Sequence, residues 1–152
     1  MKKLLLLLLP FAALSQYFQQ DVSYKIEVKL DDKNHVLRGF EMLSYKNNSS
    51  QTLQEIYMHV WPNAYKNKET ALAQQLKRND GDKIAKAEEK DLGFIDSLDF
   101  KINGEVVKWN YSEAHQDIVV LKLSQGLKPG ESIEITTPFK VKIPSGSISR
   151  LG

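Results

Sequence analysis

The chain has 152 residues and no cysteine, and it carries 21 lysine and arginine residues against 19 aspartate and glutamate residues. This length suits one ordinary domain, and the lack of cysteine excludes disulfide bonds. Two of the basic residues, Lys2 and Lys3, belong to the amino-terminal segment described next, and without them the two signs balance at 19 each. A neutral chain gives no electrostatic case for a nucleic acid or an anionic membrane surface as partner.

The first 15 residues have the pattern of a secretory signal peptide. Two lysines precede an apolar run from Leu4 to Leu14, and the small residues Ala13 and Ser15 stand before a cleavage site at Gln16. The run has about 11 residues, whereas a membrane-spanning helix needs roughly 20, so cleavage is favoured over an uncleaved anchor. The sequence therefore predicts an exported protein of bacterial type, periplasmic, at the cell surface or secreted, with no membrane anchor after cleavage.

Two strands are predicted at the start of the mature chain. Val22 to Leu30 alternates between apolar and polar or charged side chains, which is typical of a strand with one face in water. Asp31 to Asn34 is a turn cluster. Val36 to Tyr45 is the partner strand, and Gly39 within it indicates a bulge or a close approach of another group to the backbone.

The segment from Leu53 to Tyr65 is predicted to be a strand that ends in a turn. From Ile56 onward, apolar side chains alternate with Tyr57, His59 and Trp61. Pro62 ends the pairing because it has no backbone N–H to donate. We expect the strands before and after this segment to pack around it.

Residues 66–90 differ from the rest, since they are rich in alanine, glutamine, lysine and glutamate, which favour helix. Thr70 to Arg78 can form two turns with Leu72 and Leu76 on one face. This insert is either a lid or partner contact, or a solvated excursion between strands. Little apolar surface anchors it, which favours the excursion.

Short strands return after residue 92. They are Gly93 to Ile102, Glu105 to Tyr111, Asp117 to Leu123, and Ile133 to Ile143 with an interruption at Pro138. Asn103-Gly104 between the first two is a strong hairpin signal. Short, evenly spaced strands joined by turns predict an all-β fold, an antiparallel β-sandwich or saddle-like sheet with a short helical insert near residues 66–90.

The strand parities also predict a hydrophobic core. Its expected members are Ile26, Val28, Phe40, Ile56, Met58, Phe100, Val119, Leu121 and Ile135.

No motif for catalysis or metal binding is found. The three histidines lie on separate predicted elements: His35, His59 and His115. None has a ligand-spaced neighbour, and there is no His-Glu-x-x-His and no phosphate-binding glycine loop. The carboxylate pairs Asp31-Asp32 and Asp96/Asp99 are typical of turns and solvated surface. We predict no catalytic, cofactor-binding or metal site in this chain.

Two further patterns bear on the surface. The N-glycosylation triplet occurs at Asn47, Asn48 and Asn110, which predicts exposed loops there. The aromatic residues Tyr57, Trp61, Tyr65, Trp109 and Tyr111 could form a platform for stacking on sugars, although membership of the core is favoured.

Five short motifs follow one another along residues 19–143. They are Tyr24 to Asp31, Leu37 to Phe40, Tyr45 to Ser49, the His-Val-Trp-Pro-Asn-Ala-Tyr run ending at Tyr65, and Leu127 to Glu131. In this order they resemble the N-terminal β domain of the aminopeptidase N family of zinc metallopeptidases. The Trp-Pro-Asn-Ala-Tyr variant is similar to the exported bacterial branch of that family.

After the signal peptide over residues 1–15, the resemblance implies an N-terminal β domain over residues 16–143 and a linker over residues 144–152. The linker would lead towards a catalytic domain that is missing from this chain. In the family, that domain brings the Gly-x-Met-Glu-Asn segment, the His-Glu-x-x-His helix and a further glutamate that binds zinc. The resemblance thus implies zinc in the missing domain and no cofactor here, and no catalytic residue is carried over.

The function implied is that of a non-catalytic part of an enzyme that, at full length, removes amino-terminal residues from peptides. Its partners would be the catalytic domain of the same polypeptide and, for the whole enzyme, peptide substrates. Alternatively, the chain is a free-standing secreted β-sandwich that binds a glycan or a protein partner through its aromatic residues.

Overall fold

The computed structural model describes residues 18–79 and 83–149. Two antiparallel sheets and two short helices make up the regular structure of these residues, so the prediction of an all-β fold with a short helical insert is confirmed. The predicted signal peptide over residues 1–15 and its cleavage site lie outside the described residues.

The described residues form nine strands, which are arranged in two sheets. The strands are β1 Asp21–Asp31, β2 Val36–Lys46, β3 Leu53–His59, β4 Phe94–Asp96, β5 Lys101–Ile102, β6 Glu105–Val106, β7 Lys108–Tyr111, β8 Ile118–Leu127 and β9 Ser132–Lys142. The large sheet has the order β1-β2-β9-β5-β6, with β4 also paired to β9, and the small sheet has the order β3-β8-β7.

Strands β1, β2 and β9 pair in unbroken register, so the residues in each row across them share a face of the large sheet. Val28 lies opposite Gly39, and Gly39 lies opposite Phe139. A Cβ atom added to Gly39 would stand 2.4 Å from Cζ of the Phe139 ring and 2.6 Å from the Glu27 carbonyl oxygen. The glycine therefore marks a close approach and not a bulge, which were the two alternatives that the sequence left open.

Pro138 does not interrupt β9, contrary to the sequence prediction. The strand pairs with β2 along its whole length, including Pro138 opposite Phe40. On the other side of β9, β5 pairs with Ile135 and Thr136 and β4 begins pairing at Lys140. The predicted strand Gly93 to Ile102 is divided there, because a proline has no N–H to offer a neighbouring strand.

The insert forms where the sequence predicts it. It contains α1 Ala71–Asn79, α2 Lys83–Lys86 and a 3-10 helix Glu89–Asp91, and the predicted turn before it forms a 3-10 helix Trp61–Tyr65. The Thr70 hydroxyl accepts a hydrogen bond from the Ala73 amide at 3.2 Å, so it caps α1. Ala73 and Ile84 are buried and anchor the insert. In the parts of the chain that the structure describes, no helix is long and apolar enough to cross a membrane.

The core lies between the two sheets. Leu43 and Ile135 reach it from the large sheet, Ile56, Val119 and Leu121 reach it from the small sheet, and Phe100 lies between them. Of the predicted core residues, Ile56, Phe100, Val119, Leu121 and Ile135 are buried, and Met58 is partly buried against them.

The prediction is wrong for Ile26, Val28 and Phe40, which are 52%, 57% and 44% exposed. Ile26 and Val28 do point to the inner face of the large sheet, but the small sheet has three strands in the described part of the chain, and no described residue covers this part of β1. Phe40 has the opposite parity to the buried Leu43, so it lies on the outer face.

Asn47 is buried, which contradicts the exposed loop expected from its glycosylation triplet. Its side-chain nitrogen donates to the carbonyl oxygens of Gln51 at 2.7 Å and Leu127 at 2.9 Å. Its side-chain oxygen accepts from the Ser49 amide at 3.0 Å. Asn110 is exposed but stands within strand β7 and not in a loop. Asn47 thus fastens the turn after β2 to the end of β8.

Residues 144–149 lie against the insert. Pro144 is buried, and a Cβ atom on Gly93 would stand 2.6 Å from its ring. The Ser145 amide donates to the Asp91 carbonyl oxygen at 2.9 Å. The assignment of residues 144–152 as a linker to another domain stays a prediction.

Candidate functional site

An apolar groove of about 500 Å³ runs between the inner face of β1 and β2 and the edge of β3. It lies where the large sheet extends past the small one, so it follows directly from the difference in strand number between the two layers. Most of its lining is aliphatic or aromatic, and the polar side chains in it are Glu41, His59 and Thr137.

The first wall is the inner face of β1. Val22, Tyr24 and Ile26 line the groove, and each is exposed. Tyr24 lies opposite Leu43 and Leu43 opposite Ile135, so this row passes from the core into the groove without a change of face. The wall is thus a continuation of the hydrophobic core that no described residue covers.

The second wall is the free edge of β3. All residues from Ile56 to Trp61 line the groove. Side chains of a strand alternate between its two faces, so a groove lined by consecutive residues must run along the strand's edge. The Val60 amide donates to the Asp117 carbonyl oxygen at 2.8 Å. Every second residue of a strand directs its backbone groups to the same side, so those of Ile56 and Met58 also point to β8. Those of Tyr57 and His59 point to the other side, where no described strand pairs with them.

Aromatic rings stand at the rim of this groove. Trp61 is 63% exposed and stacks on His59, with ring centroids 4.7 Å apart and planes 10° from parallel. Tyr57 is also exposed and donates a hydrogen bond to Glu55 at 2.9 Å, which raises the pKa of the Tyr57 hydroxyl. The prediction that Tyr57 and Trp61 belong to the core is therefore wrong. Trp109 does pack on Phe100 of the core, with ring centroids 5.3 Å apart.

Glu41 is the one carboxylate among the residues that line the groove. It lies on the inner face, opposite Ile26 on one side and Thr137 on the other. Burial raises the pKa of its carboxyl group. No hydrogen bond or ion pair reaches this carboxylate from the described part of the chain, so its ionised form is poorly solvated and attracts a cation.

The histidines and carboxylates singled out in the sequence do not converge. Within residues 18–79 and 83–149, no three histidine, aspartate or glutamate side chains form a group that could hold a metal ion. His59 Nδ1 instead lies 4.0 Å from Asp117 Oδ2. Asp31 accepts hydrogen bonds from Asn34, which lower the pKa of its carboxyl group, as befits a turn residue. Zinc in a separate catalytic domain stays a prediction, and the described residues offer no site for it.

A second depression, of about 880 Å³, lies between β6, β7 and the end of β8. Its lining includes Glu105, Lys108, Lys122 and Glu131. These charges are of mixed sign, and the lining also includes the polar residues Asn103, Ser124 and Gln125, so this depression is less apolar than the groove beside β3. We therefore take the groove beside β3 as the candidate site.

One feature of the sequence indicates this site, namely a charged residue at an inward-facing position of β2. Gly39, Glu41 and Leu43 share a parity, so the buried position of Leu43 places a charged residue on the inner face. A charge at an inner position indicates either a buried partner or a binding surface.

No protein-family model matches the chain, and no curated protein matches it. Among solved structures, the chain is similar to an M1 zinc metallopeptidase from Deinococcus radiodurans and to a two-domain M1 zinc metallopeptidase bound to L-arginine, each with 16% sequence identity and a TM-score of 0.49. Each match covers 80% of this chain and 20% of the other, so the chain spans about a fifth of their length. Both of these similar proteins are zinc metallopeptidases.

Proposed function

We propose that this chain is the N-terminal, non-catalytic domain of an exported zinc metallopeptidase of the aminopeptidase N type. At full length, that enzyme removes amino-terminal residues from peptides with a zinc ion held in its catalytic domain. The ordered motifs between Tyr24 and Glu131 support the proposal on the side of sequence.

The structural observation that supports it is the uncovered inner face of β1. Val22, Tyr24, Ile26, Val28 and Leu30 all point to this face, and all are exposed. A continuous apolar surface of this kind marks a place where another protein surface binds. A domain that packs against a catalytic domain needs such a face.

The reading frame beyond Gly152 and the isolated chain together test the proposal. We expect the frame to continue into a segment with His-Glu-x-x-His, and a stop followed by an unrelated gene would contradict the proposal. The purified chain should retain no zinc after dialysis and should not cleave fluorogenic aminoacyl substrates when zinc is added, because peptide hydrolysis by zinc requires converging ligands and a general base beside the metal. Stoichiometric zinc with chelator-sensitive turnover would place the chemistry in this chain instead.

Export is tested separately. We expect amino-terminal sequencing of the exported protein to begin within two residues of Gln16, since Ala13 and Ser15 fit a signal-peptidase site. Exported material that begins at Met1 would contradict it.

The second candidate is a free-standing β-sandwich that binds a glycan. The exposed stack of Trp61 on His59 favours it, because flat exposed aromatic faces stack on sugar rings. Titration with bacterial cell-wall oligosaccharides should then quench tryptophan fluorescence in the natural chain and not in a Trp61→Ala variant. Equal responses in both would exclude this candidate.

A further inference from the structure

We propose that the groove beside β3 binds one extended peptide strand, which pairs with the free edge of β3 and carries a lysine or arginine that meets Glu41. The strand belongs to the polypeptide that packs on this domain, so the inference rests on the proposed function and names how that partner binds. Its side chains alternate, with apolar groups directed at the inner face of β1.

The edge of β3 supplies the main-chain half of this site. Tyr57 and His59 direct their backbone N–H and C=O groups into the groove, and no described strand takes them. An exposed strand edge is a template for one more strand, and main-chain hydrogen bonds then give affinity without demanding a fixed sequence. The strand added here would become the fourth in the small sheet.

The face of β1 supplies the side-chain half. A fourth strand in the small sheet would lie beneath Tyr24 and Ile26, where no described residue covers the large sheet. Alternate side chains of that strand would point at this face, so they must be apolar to continue the core between the layers. One added strand thereby completes both sheets.

Glu41 adds a charge requirement. Its carboxylate stands in the same inner-face row as Ile26 and has no described partner. Covering it with an apolar strand would bury an unpaired charge, which is costly, whereas a lysine or arginine on the strand would pair with it. The groove therefore selects an apolar strand with a single basic residue and not an apolar strand alone.

A second copy of this chain does not fit the groove. Pairing β3 with β3 of another copy about a two-fold axis would join the two small sheets into one. Both large sheets would then lie on the same side of the joined sheet, and each β1–β2 extension would occupy the space of the other. The occupant is consequently one strand without a covering layer of its own at that point.

The test uses blocked synthetic peptides of about ten residues, a usual upper length for a strand. One peptide alternates valine and threonine around a central lysine, and its matched control has glutamate in place of the lysine. Binding to the full chain is followed by acrylamide quenching of Trp61, which lines the groove and is exposed. We expect the lysine peptide to protect Trp61 and to bind about tenfold more tightly than the glutamate peptide, a difference that one charge pair supplies.

Two comparisons separate strand pairing from general hydrophobic binding. N-methylation of alternate peptide amides blocks one edge of the peptide, and methylation of the intervening amides blocks the other. We expect one set to abolish binding and the other to preserve it, since only one edge can face β3. The Glu41→Gln variant should still bind the lysine peptide and should lose the tenfold preference over the glutamate peptide.

Equal binding of both N-methylated sets, no charge preference in the natural chain, or absence of binding would overturn the inference. So would a dimer in sedimentation equilibrium that protects Trp61 without any peptide. These results concern the chain alone, so they are independent of whether a catalytic segment follows in the reading frame. A reading frame that stops would contradict the proposed function, whereas the peptide results test whether the groove binds a strand.

Discussion

Truncating two isoleucines on the same face of the large sheet should have very different costs. Ile135 is 1% exposed, and Ile135→Ala should lower the free energy of unfolding by about 2–5 kcal/mol, because the contacts are lost and a cavity remains. Ile26 is 52% exposed and borders an open groove. Full burial of such a side chain contributes about 1.5–3 kcal/mol, and Ile26 gains only about half of that, so Ile26→Ala should cost about 1 kcal/mol or less.

Equilibrium unfolding in urea, followed by tryptophan fluorescence, measures both losses. Trp109 packs edge-on against Phe100 at 5.3 Å, so its emission reports on the core. The dependence on urea should keep the same slope in both variants, since neither changes the surface exposed on unfolding by much. A loss for Ile26→Ala as large as that for Ile135→Ala would show that the face of β1 is covered in solution. Repeating the measurement at several protein concentrations would reveal whether self-association covers it.

Three other substitutions test particular contacts. Gly39→Ala should lower the free energy of unfolding by about 1–3 kcal/mol, because the added Cβ would overlap the Phe139 ring. In a Phe139→Ala background, Gly39→Ala should cost less. A Gly39→Ala variant as stable as the natural chain would show that the ring moves freely. Asn47→Ala should cost about 2 kcal/mol or more in the same assay, because the buried Leu127 carbonyl oxygen loses a donor, and a cost near zero would mean that water replaces the amide. Glu41→Gln should stabilise the fold at neutral pH. Burial raises the pKa of Glu41 in the native state, so the ionised carboxylate destabilises the fold above that pKa. This destabilisation disappears as the pH falls through the native pKa towards the pKa of the unfolded chain. The melting temperatures of variant and natural chain should therefore converge in acid, and a difference that stays constant with pH would exclude ionisation as the cause.

Local patterns predicted the elements well because each has its cause in a few neighbouring residues. Asn103 and Gly104 adopt positive φ angles of 50° and 86°, and the hairpin between β5 and β6 follows. Thr70 caps α1 one residue before its first turn. The division of the Gly93 to Ile102 segment was not predictable in this way, since its cause is Pro138 on a strand far away in the sequence.

The candidate site was harder to predict, because alternation identifies an apolar face without showing what covers it. Ile26 and Ile135 have equivalent patterns, yet only Ile135 lies above the small sheet. Which strands belong to which sheet depends on pairing across the whole chain. The groove, the free edge of β3 and the isolated charge of Glu41 all result from that pairing, so they became visible only in the folded chain.

The contact between Gly39 and Phe139 also bears on how the chain reaches one alignment of its strands. A shift of β9 by two residues along β2 would keep every side chain on its present face, so the hydrophobic pattern alone does not forbid it. Such a shift would place Phe139 opposite Leu37 or Glu41, where a side chain occupies the space that Gly39 leaves empty. In either misaligned pairing, the Phe139 ring can no longer occupy the space beside Gly39. One glycine thereby excludes competing alignments between two strands that the chain brings together from opposite ends of the domain, and kinetic refolding of a Gly39→Ala chain should expose those alignments as slow, off-register species.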